Sequence, residues 1–337
     1  MDILEKLVNT ATGPDVSTEE KLKRTAFLLD ILVDFGFKVR SGNGCHVAVR
    51  GNPPYITLIG HLDTVFPEGE EKKRPFSIVG DKAYGPGVAD MKGGIAVMFQ
   101  ALKDIDRDNI SIILNVDEEI GSPESEIVFS EFAKKTSYCL SFEPAFPDGK
   151  LVASRKGVGA LLIKTHGKKG HAARIQEGAN AVVELSNKIH KIWELNRNFV
   201  DLTVNPTIIK GGIKSNVTPD YAECYCNVRY YAMNEVEKFE KEIARISKET
   251  VINGCTTEFE YKQYRKPMKE CPELVEIVRK EGFKVTRSSG SGDAAFFNRA
   301  IDGLGLPGGN LHSKEEYAII SEFDKKVKLA KKLITSI

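Results

Sequence analysis

An alternation of strands and helices that breaks once and then resumes constrains this chain more than any other feature. Residues 3–10 and 18–35 read as helices, the second opened by a capping box, Ser17-x-x-Glu20, and stopped near Gly36. Strands follow at 37–41, 45–50 and 55–60. After the turn-rich loop Gly80–Gly87 come an apolar helix from Gly93 to about Lys103, a buried strand over 111–117, a helix over 123–134 and a strand over 138–142. That order specifies an open α/β sheet whose ligand site lies at the carboxyl ends of its strands. Between 158 and 265 the order becomes β-α-β-β-α-β, with strands at 158–165, 203–210, 221–230 and 256–264 and helices at 178–196 and 234–250. This is a ferredoxin-like split βαβ unit. From about Lys266 the first pattern returns, with a helix at 272–281, the Gly-rich turn Ser288–Gly292, a helix opened by Asp293 and a last helix at 321–335. The expectation is an open mixed-sheet α/β domain made of 1–157 and 266–337, carrying an inserted ferredoxin-like α+β domain over 158–265.

Two domains also suit a chain of 337 residues, which is longer than one core supports. Charge balances, 48 Lys and Arg against 47 Asp and Glu, so neither nucleic acid nor an anionic membrane is an expected partner. No apolar run reaches bilayer-spanning length. Residues Met1–Lys6 lack the basic and apolar regions of a signal peptide, and six scattered cysteines then fit a reducing, cytoplasmic compartment. Cys224-x-Cys226 lies in a period-2 segment that puts both sulfurs on the face of Ala222 and Val228, as buried small residues. No G-x-G-x-x-G follows the first strand, which sets a nucleotide site aside.

The chemistry gathers where strands end. Ile59-Gly60-His61-Leu62-Asp63 closes an apolar run with two polar residues that share a face. An Asp so placed can accept the second ring N–H of a ligating histidine and fix its orientation. Asp90, Glu118, Glu119, Glu143 and His312 likewise follow apolar segments and precede turns, so one sheet edge can collect all six groups. Singly each has an ordinary explanation, such as an N-cap for Asp90 or a solvated turn for Glu118-Glu119. Together, two histidines and three carboxylates make a mixed nitrogen and oxygen donor set suited to Zn²⁺ or a related divalent ion. Five ligands serve two metals if one carboxylate bridges, and a spare glutamate can then act as general base.

The motifs Gly60-His61-Leu62-Asp63-Thr64-Val65, Gly85-Pro86-Gly87-Val88-Ala89-Asp90-Met91-Lys92-Gly93-Gly94, Asp117-Glu118-Glu119-Ile120-Gly121-Ser122, Glu143-Pro144 and His312-Ser313 resemble, in order, those of the co-catalytic zinc aminoacylase and carboxypeptidase family. The resemblance spans nearly the whole chain. It implies a phosphorylase/hydrolase-like catalytic domain and an inserted lid that dimerises. It implies that His61 and Glu143 hold one zinc and Glu119 and His312 the other, with Asp90 bridging, Glu118 as acid/base and Asp63 orienting His61. Co²⁺ or Mn²⁺ would be substitutes.

In the inserted domain, Gly167-Lys168-Lys169-Gly170-His171-Ala172-Ala173 resembles the family's lid motif, whose histidine reaches the partner subunit's site and stabilises the oxyanion. Lys214–Pro219 is similar to the segment that places an Asn, here Asn216, near substrate. Arg229 matches an Arg that binds a substrate carboxylate. Gly290-Ser291-Gly292-Asp293 matches a turn whose N–H groups and following helix N-terminus receive a carboxylate, although many members have Thr where this chain has Gly292.

The runs Arg229–Glu235, Gly303–Gly308 and His312–Tyr317 most resemble the carboxypeptidase G type. The expectation is therefore a homodimeric two-zinc hydrolase that cleaves an amide bond beside a free carboxylate, releasing C-terminal glutamate or a similar amino acid from a small peptide. Deacylation of N-acyl amino acids, as by acetylornithine deacetylase or succinyl-diaminopimelate desuccinylase, is the alternative. A non-catalytic binding protein on this scaffold would lack a ligand or the base, and none is missing.

Overall fold

The computed structural model describes residues 1–337, and they divide into two compact units. The first comprises Met1–Arg155, Met268–Ser288 and Gly292–Ile337; the second comprises Lys156–Pro267 and Ser289–Ser291.

The first unit is built on a six-stranded mixed sheet in the order Lys38–Gly42, Cys45–Arg50, Ile110–Asn115, Tyr55–His61, Thr136–Ser141, Ala300–Ile301. The first two strands pair antiparallel, as do the second and third, and all later neighbours run parallel. Central parallel strands are covered on both faces, so they read as continuous apolar runs rather than alternating ones. Tyr55–His61 is buried along its whole length. One face packs on helices Asp2–Val8, Phe27–Asp34, Gly93–Leu102 and Phe323–Ser336, through Ile56, Leu58, Ile112 and Leu140 among others. The other carries Val47, Ile59 and Ile113 against Phe129 and Phe132 of helix Glu126–Ala133. No helix is long and apolar enough to cross a membrane.

Several elements differ from the sequence expectation. The helix expected over 18–35 is two segments, Thr18–Thr25 and Phe27–Asp34, separated at Ala26. Ser17 does accept the Glu20 N–H, but the Glu20 carboxylate turns to Arg24 at 2.9 Å, so the capping box is half formed. The loop expected over 80–87 contains strand Lys82–Tyr84, which pairs with Ser77–Val79 on one side and Tyr317–Ile319 on the other. Strand Leu151–Arg155 was not expected; it pairs parallel with Val285–Ser288. The helix expected from Asp293 is a single 3₁₀ turn, Asp293–Phe296. Its carboxylate accepts from Asn115 and Ser122 instead of capping a helix, so no helix N-terminus faces the Gly290–Gly292 turn.

The second unit has strands Gly157–His166, Leu202–Gly211, Tyr221–Tyr230 and Thr256–Arg265, all antiparallel. Their order across the sheet is second, third, first, fourth, the ferredoxin-like arrangement, with helices Ala181–Glu194 and Met233–Lys248 on one face. Alternation decides which side chains meet those helices. Ala222, Cys224, Cys226, Val228 and Tyr230 are buried while Glu223, Tyr225, Asn227 and Arg229 face the other way. All six cysteines of the chain are unpaired and buried.

A buried ion pair closes this unit. Lys188 and Glu184, one turn apart, lie 3.1 Å from each other and are almost fully inaccessible. Glu184 also accepts the N–H groups of Val251 and Ile252 at 2.8 and 2.7 Å, and Lys188 donates to the carbonyls of Ile246 and Glu249. Burial alone would raise the Glu184 carboxyl, but the two N–H groups and Lys188 hold it below its ordinary value. Removing one partner strands a charge in the core, which costs about 3–5 kcal/mol. Glu184→Ala should lower unfolding stability by about that amount in chemical denaturation. Because the folded carboxyl is lowered, the difference from the parent should be full above the ordinary value of 4.5 and shrink as pH falls through the folded value.

Candidate metal centre

Three parallel strands deliver their terminal residues to one sheet edge: His61 and Asp63 after Tyr55–His61, Glu118 and Glu119 after Ile110–Asn115, and Glu143 after Thr136–Ser141. Asp90 arrives from the segment before helix Gly93–Leu102. Gly87 there has φ +71, and Gly94 lies so close to Phe142 that a Cβ would sit 1.8 Å from its carbonyl oxygen. Any larger residue at Gly94 would push the Asp90 segment off the strand end. His312 comes from the turn between Gly308–Gly309 and Tyr317–Ile319. Those strands share a small sheet with Lys82–Tyr84, which leads directly into the Asp90 segment. His312 itself has φ +61, a left-handed conformation uncommon outside glycine and concentrated at functional sites.

Asp90 stands between the two histidines. Its Oδ1 is 3.1 Å from His61 Nε2 and its Oδ2 is 3.2 Å from His312 Nε2. Glu143 Oε1 lies 3.8 Å from His61 Nε2, and Glu119 Oε2 lies 3.5 Å from His312 Nε2. Two donor groups result: His61, Asp90 and Glu143, and Asp90, Glu119 and His312, each with its donor atoms within 4.8 Å of one another. They share Asp90. Imidazole nitrogens mixed with carboxylate oxygens fit Zn²⁺ or a similar transition ion, and the sharing fits a pair of them.

The electrostatics agree with a site that wants cations. Burial pushes the His61 imidazole down, but the carboxylates of Asp63, Asp90 and Glu143 outweigh it and hold it well above its usual range. Asp90 and Glu119 push His312 up to about 10. Glu143 is driven well up by burial and by neighbouring Asp90 and Glu118, although His61 opposes this. Burial would raise Asp90 too, yet the two histidines hold it well below the ordinary carboxylate range.

Asp63 does more than orient a histidine. The His61 Nδ1–H donates to the Asp63 backbone carbonyl at 3.0 Å, while the Asp63 carboxylate lies 3.5 Å from the same nitrogen. That fixes the tautomer and turns Nε2 toward Asp90 and Glu143. The carboxylate oxygens accept the Glu118 and Glu119 N–H groups at 3.2 and 3.0 Å. One residue thus holds both, the His61 ring through its backbone carbonyl and the Glu118-Glu119 turn through its carboxylate. Beneath that turn, Asp117 accepts from Glu124 N, Ser125 N and Ser125 Oγ, a network the sequence did not announce.

Arg155 was also missed. It ends the unexpected strand Leu151–Arg155, bonds buried Asp302 at 2.5 Å, and its charge faces Glu143 and Glu118. A Cβ on Gly292 would come within 3.3 Å of its guanidinium Nε, a close but not forbidden approach. An arginine closing a strand beside strand-end acids was the available signal.

In the second unit, Gly170–His171 pairs with Val217–Thr218, and Ala172 N–H donates to the Asn216 carbonyl, so His171 and Asn216 are neighbours on an exposed loop. His171 Nδ1 accepts the Ala173 N–H at 3.2 Å, which leaves the neutral ring's proton on Nε2. Arg229 is not with them. It stands eight residues along its strand from Tyr221, about 26 Å at the usual rise, with Nε donating to Asn227 Oδ1 at 3.0 Å. Gly290 and Ser291 fall in the second unit and Gly292 in the first. The Ser291 Oγ is buried with no hydrogen-bond partner in the chain.

With this geometry in place, known proteins give it a context. Carboxypeptidase G2 of Pseudomonas sp. (strain RS-16) is 32% identical over 98% of this chain and 87% of its own length. The succinyl-diaminopimelate desuccinylase of Wolinella succinogenes is 26% identical over 81% of this chain and 82% of its own. The crystal structure of the aminopeptidase PepT from Bacillus cereus superposes with a TM-score of 0.80 at 20% identity, covering 99% of this chain and 96% of that one. Residues 57–336 match the model of peptidase family M20/M25/M40, and the chain, a metal-dependent peptidase or deacylase, belongs to that family.

Proposed function

We propose that this protein is a two-zinc hydrolase that cleaves an amide bond adjacent to a free carboxylate, in the manner of a carboxypeptidase G. The observation that carries the proposal is Asp90 shared between two donor groups, with the pinned Glu118 turn beside them. His61 and Glu143 would hold one ion, Glu119 and His312 the other, and Asp90 both. When bound, the two ions would polarise the scissile carbonyl and lower the pKa of the attacking water.

The chain's own residues handle the protons. Glu118 takes a proton from the attacking water on a carboxylate oxygen and passes it to the leaving amine nitrogen. Asp63 keeps Glu118 in place through its backbone N–H. His171, protonated on Nε2, donates to the carbonyl oxygen as charge develops there. Arg229 and the Gly290–Gly292 turn would receive the substrate's carboxylate, the Ser291 hydroxyl being a buried donor suited to it, while Asn216, on the same loop as His171, would come to the substrate with that histidine.

His171 comes, on this reading, from a second copy of the chain. Strand Leu202–Gly211 is an edge of its sheet and exposes Ile208 and Ile209, and the adjoining helix exposes Val182, Val183 and Trp193. An open apolar edge of this kind is a pairing surface. Six unpaired thiols suit the reducing cytoplasm. The similarity to a desuccinylase supports one alternative, an N-acyl amino acid deacylase, which uses the same proton path.

Four measurements test this. Metal analysis should find two zinc ions per chain, and chelation should abolish activity. Glu118→Ala should retain both ions and lose at least about 10²–10⁴ in kcat, so near-parental turnover would remove Glu118 from the base role. Glu118→Ala and His171→Ala, each inactive alone, should regain activity when mixed and allowed to exchange subunits. One of the two sites in the mixed dimer then holds both native residues, and no recovery would place His171 in its own subunit's site. A panel of C-terminal glutamyl peptides and N-acyl amino acids separates the two readings by relative kcat/KM. No cleavage of any member would overturn both.

A further inference from the structure

One carboxylate near the site belongs to no donor group and has no part in the proton path. Glu316 is fully buried, four residues beyond His312. Its Oε1 accepts the N–H groups of Ala89 and Asp90 at 2.9 and 3.0 Å, and its Oε2 accepts that of Gly87 at 3.2 Å. Three backbone N–H groups thus converge on one side chain. The backbone they grip is the one that aims Asp90. Lys92, buried two residues beyond Asp90, donates to the Thr10 carbonyl at 3.1 Å and ties the same segment a second time.

The segment from His312 to Ile319 therefore does three things at once. It supplies one candidate ligand, it grips the backbone of the shared ligand, and it pins both by pairing Tyr317 with Tyr84. Without the Glu316 grip, nothing in the segment's own sequence favours an Asp90 carboxylate that reaches His61 with one oxygen and His312 with the other. Gly85 and Gly87 make that stretch permissive.

We propose that Glu316 is a positioning residue that presets the Asp90 bridge for a pair of metal ions and thereby couples the two ions' binding. This rests on the two-metal reading above. A glutamine at this position keeps the shape but turns an NH₂ toward a backbone N–H, so at least one of the three bonds is lost and the grip on the segment is loosened.

The test uses the full-length chain stripped of metal and titrated with Co²⁺ against a chelating indicator. The parent should bind two Co²⁺ per chain. Glu316→Gln should weaken the second equivalent about 10–100-fold and alter its visible absorption, with kcat falling more than KM changes. If the parent binds two and the variant binds both with parental affinity and spectrum, the role of Glu316 is refuted while the two-metal reading stands. If the parent binds none, both fall. Should the variant not fold, hydrogen exchange on the metal-stripped parent decides. Amides at Gly87, Ala89 and Asp90 should stay protected, and exchange at the rate of an open loop until Co²⁺ is added would overturn the proposal.

Discussion

Asp90 can face two histidines only if four stretches of chain, far apart in sequence, are held at one sheet edge to within hydrogen-bond tolerance. The parallel register of Tyr55–His61 with Ile110–Asn115 and Thr136–Ser141 supplies three of those positions, because parallel strands end on the same side. The fourth is supplied by a separate small sheet that ties the His312 turn to the Asp90 segment. The large sheet is rigid for an ordinary reason: it is buried on both faces by apolar side chains. The small sheet is exposed along Ser77–Val79, so it depends on its inner strands and on the Glu316 contacts for its hold on Asp90.

This division explains what could be read from the sequence. His61, Glu118, Glu119 and Glu143 were legible because each terminates an apolar run, and strand periodicity needs only neighbouring residues to be seen. Asp90 and His312 were picked out as polar residues at turns, but their meeting depends on the pairing of Tyr317 with Tyr84, a contact across more than two hundred positions. Glu316 and Arg155 were passed over for a related reason. Each is a charged residue whose importance lies in a distant partner, the 87–90 backbone for one and Asp302 for the other. The turn at Asp293 was misread as a helix start because an Asp after glycines is a good N-cap signal, and only the Asn115 and Ser122 donors reveal its other use.

The second unit followed its pattern more closely, since a sheet with one face on helices declares itself by alternation. Cys224 and Cys226 are the clearest case: spacing of two put them on the face that packs against helices, and there they behave as small apolar residues. The Glu184 and Lys188 pair escaped notice because charges one turn apart on a helix usually sit in solvent. Here they stitch the helix to the 246–252 segment.

The first unit buries an unusual amount of charge around its sheet edge: Asp63, Lys92, Asp117, Arg155, Asp293, Asp302 and Glu316 are all at or below 9% exposure. A fold selected for stability alone would gain by replacing several of them with apolar residues, since buried pairs seldom recover their desolvation cost. Their placement gives the reason they are kept. Asp63 holds the His61 ring and the Glu118 turn, Asp117 braces that turn from below, and Glu316 grips the Asp90 backbone. Asp63 and Glu316 are thus each one hydrogen bond away from the backbone of a donor-set residue, and Asp117 is the next residue before the Glu118-Glu119 turn. The stability lost in desolvating them is exchanged for a fixed geometry at Asp90, and the two apolar faces of the sheet are what make that exchange affordable.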